Sequence, residues 1–323
     1  VYGFFPGRTD RLVVLDVHLD TVTVEHMTQP AFDGRIEDGC VWGRGALDTK
    51  ASMGVATAML AAWQRAGVRP EPTLLLVGSV SEEAGGMIGA KRFRQWADER
   101  GLDVDQMIVA EPTQFAPIHG HKGACVMRVT THGEAAHSAM PHLGQNAIEA
   151  MAHVIRAYQD EHDRLQTLAP ETELGTSTVS VTMIEGGTGG NVIPASCTIR
   201  IGQRLVPEQN AHEAHQRLMA IAEAASPLPV SFENIGPAKP DGTFGADAFY
   251  QPPDTPLASE LARWAGTTPT VAPFGTNAFG YHGFANEMVV FGPGDIGDAH
   301  QATECVAIDD LVALAEIYTT WLD

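Results

Sequence analysis

The chain has only four lysines among its 323 residues. Lysine and arginine together number 20 against 40 acidic residues, a net charge of −20. Binding a phosphate backbone needs a basic face, so no nucleic-acid partner is expected. Long apolar runs are missing as well. No stretch approaches the ~20 residues of a membrane span, and no membrane partner is expected. No secretory signal is visible. Cysteine is scarce: Cys40, Cys125, Cys197 and Cys305 are scattered, with no C-x-x-C. That argues against a disulfide framework or a cysteine-zinc site and for a reducing, cytoplasmic compartment. Neither a P-loop nor G-x-G-x-x-G follows the first predicted strand, which removes a nucleotide-binding reading. The chain opens at Val1, close to that strand, and we expect residues to precede it.

What is present reads as two domains, because 323 residues are many for one core. Leu12 to Val17 is a buried parallel strand. Residues 49–66 predict a helix with Met53, Ala56, Leu60 and Trp63 on one face and Gly67 ending it. Thr73 to Val80 and Gln106 to Ala110 are further strands, and residues 87–100 are an amphipathic helix between them. Strands alternating with helices predict an α/β fold with a mainly parallel sheet.

The pattern then changes. Strands at Cys125 to Thr131, Ser177 to Ile184, Ala195 to Ile201 and Leu228 to Glu233 alternate with helices at 146–158 and 207–225, the second with Pro207 in its first turn. The order β-α-β-β-α-β predicts a ferredoxin-like α+β domain at 124–235, inserted into a domain made of 1–123 and 236–323. The Pro/Gly-rich stretch from Gly236 to Pro256 reads as a linker back. A helix at 256–265, a strand at Glu287 to Phe291 and a helix at 309–322 capped by Asp309 close the chain.

Six groups share one address. His18, Glu82, Glu83, Glu111 and His300 each lie just beyond a predicted strand's carboxyl end, where open α/β sheets bind ligands. Asp48 opens the helix after the first strand. Two imidazoles and several carboxylates suit a pair of zinc-like ions, with one carboxylate bridging ions ~3.5–4 Å apart. One member of the Glu82-Glu83 pair can ligate while the other acts as a general base. Asp20, in His-x-Asp, can orient His18; a turn cap is its alternative reading. Of thirteen histidines only His18, His137 and His300 fall in such settings. His121-Lys122-Gly123 reads as hinge and packing.

Seven segments carry a resemblance: VHLDTV (17–22), GRGALDTK (43–50), SEEAGG (81–86), AEPT (110–113), GEAAHSAMPHLGQNAI (133–148), GGNVIP (189–194) and GPGDIGDAHQATE (292–304). Together they resemble the M20 family of metallopeptidases and amidohydrolases, most of all acetylornithine deacetylase and succinyl-diaminopimelate desuccinylase. The resemblance implies a di-zinc catalytic domain with an inserted lid and dimerisation domain. It implies that His18 and Glu111 hold one ion, Glu83 and His300 the second, and that Asp48 bridges them. The ions would be Zn2+, with Co2+ or Mn2+ as alternatives. Glu82 would be general base and then acid, and Asp20 would orient His18. His137, from the partner's lid in a homodimer, would donate to the oxyanion, and Asn191 would face the site. Arg204 would pair with a substrate carboxylate, shared or swapped with Arg200, and Gly275-Thr276 would meet the same group. A cis peptide would follow Asp48. The family's N-terminal helical segment has no counterpart here.

Three departures stand out. Asp16-Val17 replaces the family's Asn-Gly before the first histidine, Thr23 replaces a proline, and Asn277 replaces an aspartate after Gly-Thr. The implied activity is removal of an acyl group from an N-acyl amino acid, with a carboxypeptidase or dipeptidase as the alternative. A non-catalytic metal-binding descendant would have no use for Glu82.

Overall fold

The computed structural model describes residues 1–236 and 244–323. The chain divides into two compact units, Val1–His121 with Phe249–Asp323, and Lys122–Ala248. The first unit begins with β1 (Tyr2–Phe5) and with the apolar run that becomes β2 (Leu12–His18). Short strands β3 (Arg35–Glu37) and β4 (Cys40–Trp42) follow. Helix α1 (Ala51–Ala66) stops at Gly67, whose φ of 69° suits a residue without a side chain. Strand β5 (Thr73–Ser79), helix α2 (Ile88–Asp98) and strands β6 (Val104–Val109) and β7 (Ile118–His121) complete this passage.

The second unit holds β8 (Gly123–His132), β9 (Ala136–His137), α3 (Ala147–Gln166), β10 (Thr178–Gly186), β11 (Val192–Ile193), β12 (Ser196–Leu205), α4 (Ala211–Ala225) and β13 (Val230–Asn234). The chain then returns through β14 (Phe249–Tyr250), α5 (Pro256–Ala265), β15 (Thr270–Ala272), β16 (Ala285–Val290), β17 (Cys305–Ala307) and α6 (Ile308–Leu322).

The large sheet runs β1-β5-β2-β6-β16-β7-β14, with β15 beside β7. The pairs at its centre, β5 with β2, β2 with β6 and β6 with β16, are parallel. The pairs toward the edges, β1 with β5 and β14 with β7, are antiparallel. In β2 the period of two sends Val13, Leu15 and Val17 into the cluster with α1, α5 and α6, and Val14 into the cluster with α2. Each such buried side chain contributes ~1.5–3 kcal/mol, so β2 cannot slip by one residue. The register sets His18 level with Ser79 and Asp16 level with Val109. The carboxyl ends of three strands therefore meet along one edge. His121 is the register partner of Phe249, so the first unit's chain leaves and re-enters at one point.

In the second unit the sheet order is β10-β12-β8-β13, all antiparallel, as in a ferredoxin-like fold. Cys125, Met127 and Val129 of β8 and Cys197, Ile199 and Ile201 of β12 pack under α3 and α4. Arg128, Arg200 and Arg204 alternate with them and are exposed. Among the described residues no helix is long and apolar enough to cross a membrane.

Several expected boundaries move. α4 starts after Asn210, whose side chain accepts from His212 and Glu213 N–H, so Pro207 lies in the preceding turn and not in the helix. α6 is not capped by Asp309: Ala307 holds the cap position, and Asp309 lies in the first turn, where the helix dipole favours acid. α1 begins at Ala51, and Asp48 sits in the turn before it. The expected linker at 236–256 lies partly outside the described residues. Its described part is structured: Ala246 bridges Ala124 and Phe249 pairs with His121.

Glu161 of α3 shows what a buried acid requires. Arg164 and Arg217 each donate two hydrogen bonds to its carboxylate, at 2.6–2.8 Å. Burial pushes this carboxyl up, but the two guanidinium groups outweigh it and hold it at about 2. A depressed folded-state value contributes stability above the ordinary 4.5, and that stability is lost as pH falls toward 2. Glu161→Gln should therefore destabilise the chain at pH 7 by about 1–2 kcal/mol, allowing for the half-exposed arginines. Urea unfolding of both proteins from pH 7 down to pH ~2 should show that difference vanish at the acid end.

Candidate metal centre

The turn between β4 and α1 carries Asp48 over the carboxyl edge of the large sheet. Gly43 and Gly45 have φ of 150° and 81°, which opens a path that few side-chain-bearing residues take. The peptide Asp48-Thr49 is cis, as the resemblance implies. Asp48 is buried, and each of its carboxylate oxygens meets one imidazole. Oδ1 lies 2.9 Å from His18 Nε2, and Oδ2 lies 3.0 Å from His300 Nε2. His300 Nε2 is also 3.1 Å from Glu83 Oε2, and His18 Nε2 is 3.9 Å from Glu111 Oε2. Two donor groups result, His18-Asp48-Glu111 and Asp48-Glu83-His300, which share Asp48.

Electrostatics make this cluster expensive without cations. Burial raises Glu111 well above its ordinary value, and the nearby Asp48 charge raises it further. Burial and Asp48 likewise raise Glu83. Burial pulls His18 down, but hydrogen bonding to Asp48 and the charge of Glu111 outweigh it and lift the imidazole to about 10. Hydrogen bonding to Asp48 raises His300 too. The His18 Nδ1–H donates to the Asp20 backbone carbonyl at 3.1 Å, which leaves Nε2 as the nitrogen aimed at the carboxylates. A lone pair facing carboxylates is repulsive unless a proton or a cation lies between them. Glu111 Oε1 is buried with no hydrogen-bond partner. Nitrogen and oxygen donors, excess negative charge and an orphaned oxygen all fit divalent metal.

Glu82 and Glu83 follow β5 through Ser81, which takes the left-handed conformation with φ 70°. That conformation disfavours a side chain by ~1–2 kcal/mol, so something must hold the turn. Asp20 does: its two oxygens accept from the N–H groups of Glu82 (3.4 Å) and Glu83 (3.2 Å). Its carboxylate is 3.8 Å from His18 Nδ1. Asp20 therefore caps the Glu82-Glu83 turn, and it orients His18 mainly through its backbone carbonyl. Glu82 is half-buried; burial, with the charges of Glu83 and Asp48, lifts it to about 7.

Known proteins resemble this chain in sequence and in fold. Residues 119–228 match the peptidase dimerisation domain of the M20 family. The acetylornithine deacetylase of Myxococcus xanthus is 32% identical over 301 residues, covering 91% of this chain and 75% of that protein. The chain belongs to the M20 family. It is a metal-dependent hydrolase. A probable carboxypeptidase of Talaromyces marneffei is 28% identical, covering 96% of this chain and 70% of that one. The fold matches the crystal structure of an M20 family metallo-carboxypeptidase from Sulfolobus solfataricus, with a TM-score of 0.77 at 16% identity over 99% of this chain and 86% of that one.

The remaining residues singled out from M20 motifs fall elsewhere. Gly275 leads into a short 3-10 turn, and Thr276 is fully buried there. The Thr276 hydroxyl is taken by the Ala278 N–H and by His121 Nε2, both at 3.1 Å. His137, Asn191 and Arg204 belong to the second unit. There β9 pairs with β11, and Ser138 N–H donates to the Asn191 carbonyl. Ala139 N–H donates to His137 Nδ1 at 3.1 Å, which leaves the exposed ring's Nε2 as its N–H donor.

Two departures from the M20 pattern turn out to be one. Asn277 Nδ2 donates to Asp16 Oδ2 at 2.9 Å and to Ser79 Oγ at 2.8 Å, all three fully buried beneath the metal ligands. The acid sits on the strand and the amide on the turn. Nothing in either segment alone signals this pairing, since 261 positions separate the two residues. Asn277→Asp should place two carboxylates in buried contact and destabilise the chain by about 3 kcal/mol. Adding Asp16→Asn should restore most of that. Denaturant unfolding of the four proteins gives the coupling energy, and additive losses would break the pairing.

Proposed function

We propose that the chain is a di-zinc amidohydrolase that removes the acyl group from an N-acyl amino acid. The observation that carries this is Asp48, held between two imidazoles with a separate glutamate beside each. His18 and Glu111 would hold one ion, Glu83 and His300 the other, with Asp48 common to both. Bound Zn2+ supplies Lewis-acid polarisation and a lowered water pKa. Glu82 takes the proton of the attacking water as the new C–O bond forms at the amide carbon. It then delivers that proton to the amine nitrogen as the C–N bond breaks. Its half-buried position and raised proton affinity suit both tasks. Asp20 keeps Glu82 and Glu83 in register for these roles.

His137, with Nε2 as its N–H donor, stabilises the developing oxyanion. Arg204 pairs with the substrate's α-carboxylate; Asn191 lines the same approach. Gly275-Thr276 would meet the substrate carboxylate through backbone, since the Thr276 hydroxyl is already engaged. The match to a dimerisation domain supports a homodimer through the inserted unit, with His137 acting on the partner's centre. The four free cysteines support a cytoplasmic enzyme. A second reading, carboxypeptidase or dipeptidase, is favoured by the relative named a probable carboxypeptidase. The chemistry is the same, and only the acyl side of the substrate differs. Assays of N-acetylornithine, N-succinyl-diaminopimelate and a dipeptide panel separate the two.

Exhaustive chelation should abolish hydrolysis, and Zn2+ or Co2+ should restore it; turnover by demonstrably metal-free protein would sink the mechanism. Glu82→Ala should retain metal, by elemental analysis, and lose at least ~10²-fold in kcat. Metal loss instead would exchange the roles of Glu82 and Glu83.

Subunit mixing tests the shared site. Glu82→Ala and His137→Ala should each be nearly inactive alone. In a mixed dimer one site carries both lesions and the other carries neither. Random exchange makes about half the dimers mixed, so activity should return to roughly a quarter of wild type. No recovery after demonstrated exchange would confine His137 to its own chain.

A further inference from the structure

Glu304 is fully buried, and its carboxylate is shared between two elements of the centre. It lies just before β17, which pairs antiparallel with β4, and its carbonyl accepts from Gly43 N–H at 3.1 Å. The small β17-β4-β3 sheet thereby brings Glu304 under the turn that carries Asp48. Oε1 accepts three backbone N–H groups of that turn, from Gly45 at 2.8 Å, Leu47 at 3.1 Å and Asp48 at 3.2 Å. Oε2 accepts from Arg44 Nη1, and Arg44 Nη2 donates to the His300 carbonyl at 3.4 Å.

We infer that Glu304, acting with Arg44, is a positioning residue for the metal centre. It locks the Asp48 turn to the His300 loop before any ion binds. The inference rests on the metal-centre reading above. The physical ground is that three converging N–H donors in a buried turn need an anionic acceptor. The turn's own backbone bonds run from Ala46 N–H to the Gly43 carbonyl at 3.1 Å and from Lys50 N–H to the Gly45 carbonyl at 3.0 Å, and use none of these three donors. The left-handed His300, with φ 64°, sits in a loop that Arg44 ties to the same carboxylate. Asp48 and His300, which meet at 3.0 Å, are thus held on one support. Neutralising that support leaves donors facing donors. A glutamine at 304 must turn its amide either toward Arg44 or toward the three backbone N–H groups. Lysine at 44 keeps the charge but lacks the fork that reaches both Glu304 and His300.

The test is calorimetric titration of Zn2+ into apo wild type, Glu304→Gln, Arg44→Lys and Glu161→Gln. Glu161 is a comparably buried, arginine-bound acid in the second unit, so it controls for lost stability alone. Glu304→Gln and Arg44→Lys should weaken Zn2+ binding about 10- to 100-fold, the usual scale for residues that support metal ligands. Glu161→Gln should bind as wild type does. A folded Glu304→Gln or Arg44→Lys with wild-type affinity overturns the inference and leaves the metal centre standing. Wild type that binds no Zn2+ overturns both. If the variants do not fold, amide hydrogen exchange on the apo wild type decides. The Gly45, Leu47 and Asp48 amides should be as protected as those of β2, and rapid exchange there would refute the pre-formed support.

Discussion

Like-charge repulsion at one sheet edge is the constraint on which the rest of this structure depends. Glu82, Glu83, Glu111 and Asp48 converge at a largely buried edge, with two imidazoles among them and the Lys50 ammonium nearby. Left alone, such groups would separate or take up protons. The fold blocks separation by pinning each group's backbone. Parallel register fixes His18 and Glu111 at the ends of β2 and β6. Asp20 ties the Glu82-Glu83 turn by its N–H groups, and Glu304 does the same for the Asp48 turn. Two acids support this cluster: Arg44 balances Glu304, whereas Asp20 is satisfied by backbone donors and adds its charge to that of the ligands. The proton affinities of His18, Glu82 and Glu111 are what remains unrelieved, and divalent metal is the natural relief.

Most of the charged sheet edge was legible in the chain because its signals are local. A buried parallel strand is an apolar run, and a polar residue at its end lies at the ligand edge. His18, Glu82-Glu83 and Glu111 announce themselves in this way. His300, expected just beyond a strand's end, lies ten residues after β16 ends at Val290, and Asp48 follows no strand directly; both depended more on motif resemblance. Period-two alternation marks a strand of the insert, as at Val179, Val181 and Met183 of β10, but the compact unit runs from Lys122 to Ala248 and not from 124 to 235.

What escaped was of two kinds. Short strands such as β3, β4 and β17 carry too few residues for a periodic pattern to show. Long-range polar partners leave no local trace. Asp16 reads as one odd letter in an apolar strand until Asn277 is beside it. Glu304 reads from the chain as no more than a structural residue after His300, because its partners, three N–H groups and Arg44, lie more than 250 positions away. Caps were misread for a related reason. Asn210 outcompetes Pro207 for the start of α4 because its side chain answers two amides at once.

The pairing of His121 with Phe249 has a consequence for how this chain is put together. To the large sheet, everything from Lys122 to Ala248 is the loop of a hairpin. Loop-closure entropy rises only with the logarithm of loop length, about 0.6 kcal/mol per doubling, so even as flexible chain an insertion of this size would cost the host only about 3 kcal/mol more than a surface turn. Nor does it interrupt the host's hydrogen bonding, because β7 and β14 zip together across its base. The two halves of the molecule are thus free to diverge at different rates. One keeps its charged edge, while the other can alter those parts of its helices and core that take no part in the site without disturbing the metal ligands.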